Sequence, residues 1–285
     1  MLKINNSFIR KNCPLCNLER IYKIGNVEYL IPTYFSSQEI SVDLKPELWK
    51  CSNCHSGFIQ NAIPEQLATS LYMSSSSNQR WPNSKFEDSK SEEIINVLSK
   101  LFCKDAKVLD VGANTGELLD FAKARGCQTF GIEYSSDSVA VLKQKGHTVL
   151  SDLSENVISY DVITAFDLVE HLYNLPEFIK NCYSQLAKNG YLVILTGNIL
   201  SVSSVLTSSN WWYVRFPEHI VFPTKRYFKL YSQFEIKSWI YTYASRNYKH
   251  SLSSTLKQII RSFLAKNYNG LPSIGGDHVL IILKK

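Results

Sequence analysis

Three groups of residues in this chain could do chemistry by type and spacing. The first is Cys13-Pro-Leu-Cys16 with Cys51-Ser-Asn-Cys54, two C-x-x-C pairs separated by residues 17–50. Each pair can aim two thiolates at one point, and four thiolates suit a tetrahedral ion. Zinc is favoured over redox-active iron because each pair sits in a turn-like context. Four protein ligands leave no open coordination position, so the expected role is structural. The alternatives are a disulfide or free thiols. A redox dithiol would need a strand-helix setting that residues 10–20 lack. The remaining three of the seven cysteines, Cys103, Cys127 and Cys182, stand alone in apolar surroundings, which suits a reducing compartment.

The second group is a glycine loop followed by spaced acids: Asp110-Val-Gly112-Ala-Asn114-Thr-Gly116, Glu133-Tyr134, Asp152-Leu153 and Phe166-Asp167. The third is a pair of histidines, His171 after Glu170, and His219 in Phe216-Pro-Glu-His219-Ile-Val-Phe222. A histidine can take a proton from an acceptor hydroxyl or carbon acid at neutral pH. His219 is the preferred base here, preceded by the aromatic run Asn210-Trp211-Trp212-Tyr213, which could line an acceptor or simply fill a core. His171 could equally hold its loop.

The elements that must position these groups alternate. Apolar residues from Glu92 to Phe102 recur at helical spacing. Strands are expected at Val108–Val111, Phe130–Glu133, Thr148–Leu150, Asp161–Phe166 and Tyr191–Thr196. Intervening helices stop at Gly126, Gly146 and Gly190. Strands separated by single helices imply a parallel sheet with right-handed crossovers. That arrangement brings Asp110, Glu133, Asp152 and Asp167 to one edge, at the carboxyl ends of four strands.

Charge then narrows the ligand. A dinucleotide site wants G-x-G-x-x-G and a free helix N-terminus for pyrophosphate, whereas here the spacing is G-x-x-x-G with Asp110 at the strand end. A carboxylate there repels phosphate and suits S-adenosylmethionine, which has no phosphate and carries an ammonium and a sulfonium. Glu133 is placed for both hydroxyls of a ribose and Asp152 for an adenine amine.

On Val108–Gly116, Gly131–Tyr134 and Tyr160–Leu172 the chain resembles the class I S-adenosylmethionine-dependent methyltransferases over about residues 95–240. Asn114 replaces the usual middle glycine, and Asn tolerates positive φ best after Gly. The resemblance implies a Rossmann-like α/β sheet of seven strands whose last strand runs antiparallel, which fits Phe234–Tyr243 and Asp277–Leu283. The cysteine pairs, followed by Gly57-Phe58 and a proline-led helix near Pro64, resemble zinc-ribbon-like modules preceding methyltransferase cores that act on sugars and other metabolites. A zinc-containing ribosomal RNA methyltransferase is the rival resemblance, with more closely spaced cysteine pairs. Asp167, Glu170, His171 and His219 also resemble a divalent-ion pattern of a small RNA methyltransferase family.

The expected organisation is a zinc-binding module over 1–70, a linker and helix over 71–100 that includes the polar run Ser74–Gln79, and a methyltransferase domain over 101–285 with an acceptor lid at 198–233. The 285 residues carry a net charge of +6, with 45% hydrophobic and 20% charged residues. This is an ordinary globular balance, and its weak charge argues against phosphate-dominated RNA binding. No apolar run approaches the ~20 residues of a membrane span, and the first twelve residues hold no secretory apolar block. The reading is a cytoplasmic enzyme with S-adenosylmethionine as cofactor and structural zinc, acting at oxygen or carbon of a small molecule such as a sugar, glycan precursor or secondary metabolite. RNA methylation and a non-catalytic scaffold that has kept the fold are the alternatives.

Overall fold

The alternation after residue 100 builds one seven-stranded sheet. Its strands are Lys107–Val111 (β1), Gln128–Ile132 (β2), Thr148–Leu150 (β3), Tyr160–Phe166 (β4), Leu186–Gly197 (β5), Glu235–Thr242 (β6) and His278–Lys284 (β7), in the spatial order β3-β2-β1-β4-β5-β7-β6. The first five pair in parallel, and β7 runs antiparallel to both β5 and β6. The computed structural model describes residues 2–5, 7–74, 85–153, 158–243 and 276–285. Of the polar run Ser74–Gln79, residues 75–79 lie outside these.

Strand periodicity sorts the core into two layers. Val108, Val162, Val193 and Leu280 meet helices Glu92–Leu101 and Glu117–Lys123, through Ile94, Leu98, Leu119 and Phe121. Their neighbours Leu109, Ile163, Ile194 and Ile281 belong to the opposite layer, which continues without a break into Phe35, Leu48, Cys51, Cys54 and Phe58 of the N-terminal region. Each such fully buried large side chain contributes roughly 1.5–3 kcal/mol.

The N-terminal region is small-stranded, and backbone pairing laces it to the segment between β5 and β6. Strands Ile21–Asn26, Glu47–Cys51 and Gly57–Ile59 form an antiparallel sheet whose fourth strand is Val221–Phe222, supplied from between β5 and β6. Ile59 N also donates to Ile220 O at 2.9 Å. Helix Glu65–Ser74 begins directly after Pro64, as its proline suggests.

One boundary differs from the sequence expectation. The helix expected to run to Gly190 ends at Gln185, and Leu186–Gly190 joins β5. Leu186 is buried and pairs with Tyr160, the next pairing being Val162 with Tyr191. The intervening residues turn through Asn189 at φ 67°, and Lys285 Nζ donates to Leu186 O at 2.6 Å. Burying Leu186 against the strand outweighs one more helical turn. Among the described residues no helix is long and apolar enough to cross a membrane.

Candidate active site

At the β1 edge the loop conformation is the one its residues allow. Gly112, Asn114 and Gly116 all take positive φ, 78°, 45° and 85°, so Asn fills the one non-glycine left-handed position of the loop. A Cβ on Gly116 would stand 2.7 Å from Leu142 Cδ2. The turn carries Asn114 N to Glu133 Oε2 at 2.9 Å. Glu133 Oε1 accepts from Tyr134 N at 2.8 Å and Ser135 N at 2.9 Å. Three backbone amides thus fix this carboxylate at the end of β2.

Asp110 pairs in register with Gly131 on one side and Thr164 on the other, and Thr164 Oγ1 donates to it at 2.6 Å. Burial pushes the Asp110 carboxyl up to about 7, against the pull of the Thr164 hydrogen bond. It is therefore a carboxyl poised to ionise when a cation arrives, and not the permanently fixed charge that the sequence suggests. Asp152 and Leu153 follow β3, both half-buried, with Leu153 packed on the core. The charge of Asp152 acts on Tyr134, which is exposed. At the end of β4, Asp167 turns at φ 49° and Phe166 lies half-buried. Lys90 Nζ sits 3.2 Å from Asp167 Oδ2. The Asp167 side chain is 42% exposed, and the positive field of Lys90, joined by His278 and His171, holds its carboxyl below the usual carboxylate range.

Beyond β4 lies a buried polar cluster. Glu170 is fully buried and accepts from Thr196 Oγ1 at 2.8 Å and from the Tyr213 hydroxyl. Burial raises its pKa. His171, half-buried, has Nδ1 3.1 Å from Glu218 O and 2.8 Å from the Tyr72 hydroxyl. The Glu218 carbonyl can only accept, so that bond forms with the proton on Nδ1, whereas the Tyr72 hydroxyl can pair with Nδ1 in either tautomer. His219 is buried, with Nδ1 2.7 Å from Tyr213 O, which places its proton on Nδ1. Burial, with the charges of His171 and Arg215, holds His219 well below the ordinary histidine value. The two rings meet edge to face with centroids 4.7 Å apart. Glu170, His171 and His219 each bring one ligand atom within 4.8 Å of the others. Of the aromatic run, Trp211 and Tyr213 are core, while Trp212 is half-buried and donates Nε1 to Asp277 Oδ2 at 2.5 Å.

The four N-terminal cysteines converge. Cys13 and Cys54 sulfurs are 3.6 Å apart, as are those of Cys16 and Cys51, and all four lie within 4.8 Å of one another. Sulfurs around a tetrahedral zinc at ~2.3 Å would be about 3.8 Å apart. Two matching knuckles produce the convergence. Asn17 N donates to Cys13 O at 2.8 Å and His55 N to Cys51 O at 2.9 Å, and the residue after each pair takes positive φ, 57° and 62°. The second knuckle docks on the far end of the chain: Thr224 Oγ1 donates to Cys54 O at 2.6 Å and Arg226 Nε to Asn53 O at 2.5 Å.

A family profile described as a methyltransferase domain matches residues 85–235, more than half of the chain. The chain belongs to that methyltransferase family. The Glu133 cradle and the glycine turn fit the ribose and methionine ends of S-adenosylmethionine. Residues 1–84 fall outside the profile. This methyltransferase is 32% identical over 114 residues to the mitochondrial ubiquinone biosynthesis O-methyltransferase of Rattus norvegicus, a match covering 35% of this chain and 33% of that protein. It is 29% identical over 160 residues to the ubiquinone biosynthesis O-methyltransferase of Leptothrix cholodnii, covering 48% and 64%. The chain spans less than two-thirds of the length of these relatives. A solved S-adenosylmethionine-dependent methyltransferase from Archaeoglobus fulgidus shares the fold at TM-score 0.53 and 22% identity, covering 73% of this chain and 97% of that one.

Sequence spacing alone did not single out Lys90, Tyr72 or Glu218. Lys90 is one of 31 basic residues, and only its place before the helix N-cap at Ser91 distinguishes it. Tyr72 follows Ala68 and Leu71 at core spacing, which reads as packing.

Proposed function

We propose that this methyltransferase transfers a methyl group to a hydroxyl of a small molecule, with His171 as the base and the four cysteines holding a structural zinc ion. S-adenosylmethionine supplies the electrophilic methyl on its sulfonium. His171 would accept the hydroxyl proton on Nε2 as oxygen forms its bond to the methyl carbon and the carbon–sulfur bond breaks. The observation that carries this is the placement of the half-buried His171 ring, whose Nδ1 lies within hydrogen-bond distance of Glu218 O and the Tyr72 hydroxyl, so that Nε2 is the nitrogen assigned to the acceptor. His219, the base preferred on sequence, is nearly sealed from solvent and held neutral, so it is assigned the role of packing partner that orients His171. Curated relatives that act as O-methyltransferases in ubiquinone biosynthesis support oxygen as the methylated atom. The acceptor class is a ring-bearing metabolite, with sugars, glycan precursors and phenols as members. A cytoplasmic location and no nucleic-acid or membrane partner complete the reading.

The test is to incubate the purified protein with methyl-labelled cofactor and separate pools of phenolic metabolites, nucleotide-linked sugars and bulk RNA. Label in a small-molecule methyl ether is expected, lost in His171→Gln and retained in part in His219→Gln. Label in RNA alone would overturn the reading. Zinc near one equivalent after anaerobic purification is expected by mass spectrometry, and its absence would overturn the metal assignment.

A further inference from the structure

We propose that His278 binds the acceptor: its imidazole holds a second hydroxyl of the ring whose first hydroxyl gives its proton to His171. This rests on the oxygen-acceptor reading above and narrows its substrate class to rings carrying at least two hydroxyls. His278 opens β7 and pairs in register with Gly197 at the carboxyl end of β5 and with Thr242 at that of β6. It therefore stands on the same edge of the sheet as Asp167 and the His171 loop, on the strands beyond β4.

The ring is firmly seated and yet unpaired. His278 is 4% exposed, and among the described residues neither of its ring nitrogens has a hydrogen-bond partner. Ring contacts hold it instead, with centroids 5.1 Å from Tyr213 at 87° and 5.6 Å from Trp212 at 50°. Both neighbours are fixed from elsewhere. Tyr213 donates its hydroxyl to Glu170 and lies against Gly197, where a Cβ would stand 2.2 Å from its ring. Trp212 Nε1 donates to Asp277 Oδ2 at 2.5 Å, and Ser203 Oγ donates to Oδ1 of the same carboxylate. From Tyr213 the stack continues through His219 to His171, at centroid separations of 4.5 and 4.7 Å. His171 and His278 thus flank one column of rings, and the charge of both acts on Asp167. Burial lowers the His278 pKa, so near pH 7 the ring is neutral, with one nitrogen that donates and one that accepts. Leaving such groups unpaired in a buried place is unfavourable. A hydroxyl can pair with either, and the half-buried Trp212 beside it suits the apolar body of the same ring.

The experiment is NMR of nitrogen-labelled histidine rings, six in the full chain, with the protein saturated in S-adenosylhomocysteine and titrated with phenol and with ortho-, meta- and para-benzenediol as probes. His278→Phe keeps a ring against Trp212 and Tyr213, removes both nitrogens, and identifies the His278 signals by their absence. At least one diol is expected to move those signals and to bind at least about fivefold more tightly than phenol. His278→Phe should abolish that preference while leaving phenol affinity within about twofold, and His278→Asn, which keeps a polar group near the Nδ1 position, should recover part of it. No movement of the His278 signals with any diol would overturn the proposal, a result read on the unaltered chain. Equal weakening of phenol and diols in His278→Phe would overturn it too. Failure of the base assignment would show separately, as label transfer that survives His171→Gln while a diol still moves the His278 signals.

Discussion

The cofactor edge and the acceptor side of this methyltransferase are built in opposite ways. At the cofactor edge, Glu133 and Asp110 are held by residues close in sequence or on adjacent strands: Glu133 by its own following amides and by Asn114, Asp110 by Thr164 across one strand pair. On the proposed acceptor side, the ring of His171 is held by Tyr72 from the N-terminal region and Glu218 from the segment after β5. Glu218 Oε1 in turn accepts from Ser36 N at 2.9 Å. Local construction makes the Glu133 and Asp110 positions independent of the N-terminal region, while the proposed acceptor site would depend on the cysteine region staying folded.

That contrast can be broken most forcefully at the cysteine knuckles, the proposed zinc site. Cys54→Ser, or stripping the metal with a chelator, should cut methyl transfer about 100-fold or more by displacing Tyr72 and Glu218, yet leave S-adenosylhomocysteine affinity within about threefold. Parallel kinetic and calorimetric titrations decide it, and an equal loss of both would erase the distinction between the two sides. The mirror experiment is Glu133→Ala, expected to weaken cofactor binding about 50-fold, since an ionised acceptor for two ribose hydroxyls is removed, with no change in zinc content.

A third, smaller effect sharpens the electrostatics of the cofactor edge. Because the Asp110 carboxyl is raised to about 7 in the free chain, a cationic ligand must draw off its proton below that value. Affinity for S-adenosylmethionine should climb by up to about tenfold per pH unit below 7 and level off above it, and Asp110→Asn should flatten the profile. The smallest effect belongs to His219. Its folded value lies well below the ordinary one, so the unfolded chain takes up this proton first as pH falls below about 6.5, and stability is lost there while being complete above. His219→Gln should reduce the acid-side slope of stability by up to about 1.4 kcal/mol per pH unit, read as a shallower fall of melting temperature between pH 6.5 and 5.

The same division explains what the sequence reveals. The alternation of strands and helices and the left-handed Asn114 follow from short-range pattern, because turn chemistry and strand periodicity act within a few residues, whereas the antiparallel last strand is what the family resemblance implies. The two cysteine knuckles are legible for the same reason. The partners of His171 are not, since Tyr72, Glu218 and His171 meet only through tertiary packing, and helical spacing marks Tyr72 as core. Lys90 is hidden because one lysine among many gives no local cue. The extension of β5 to Leu186 was obscured by Gly190, a plausible helix stop that instead sits within the strand beside Lys285.

The two-residue strand Val221–Phe222 has a consequence for anyone rebuilding this enzyme. By completing a sheet that starts near the amino terminus, it welds the segment between β5 and β6 to the cysteine region, so the two must swing, or stay still, as a unit. Exchanging acceptor preference with a homologue would therefore require transplanting both pieces together; a graft of either alone would leave an unmated strand edge and a broken wall.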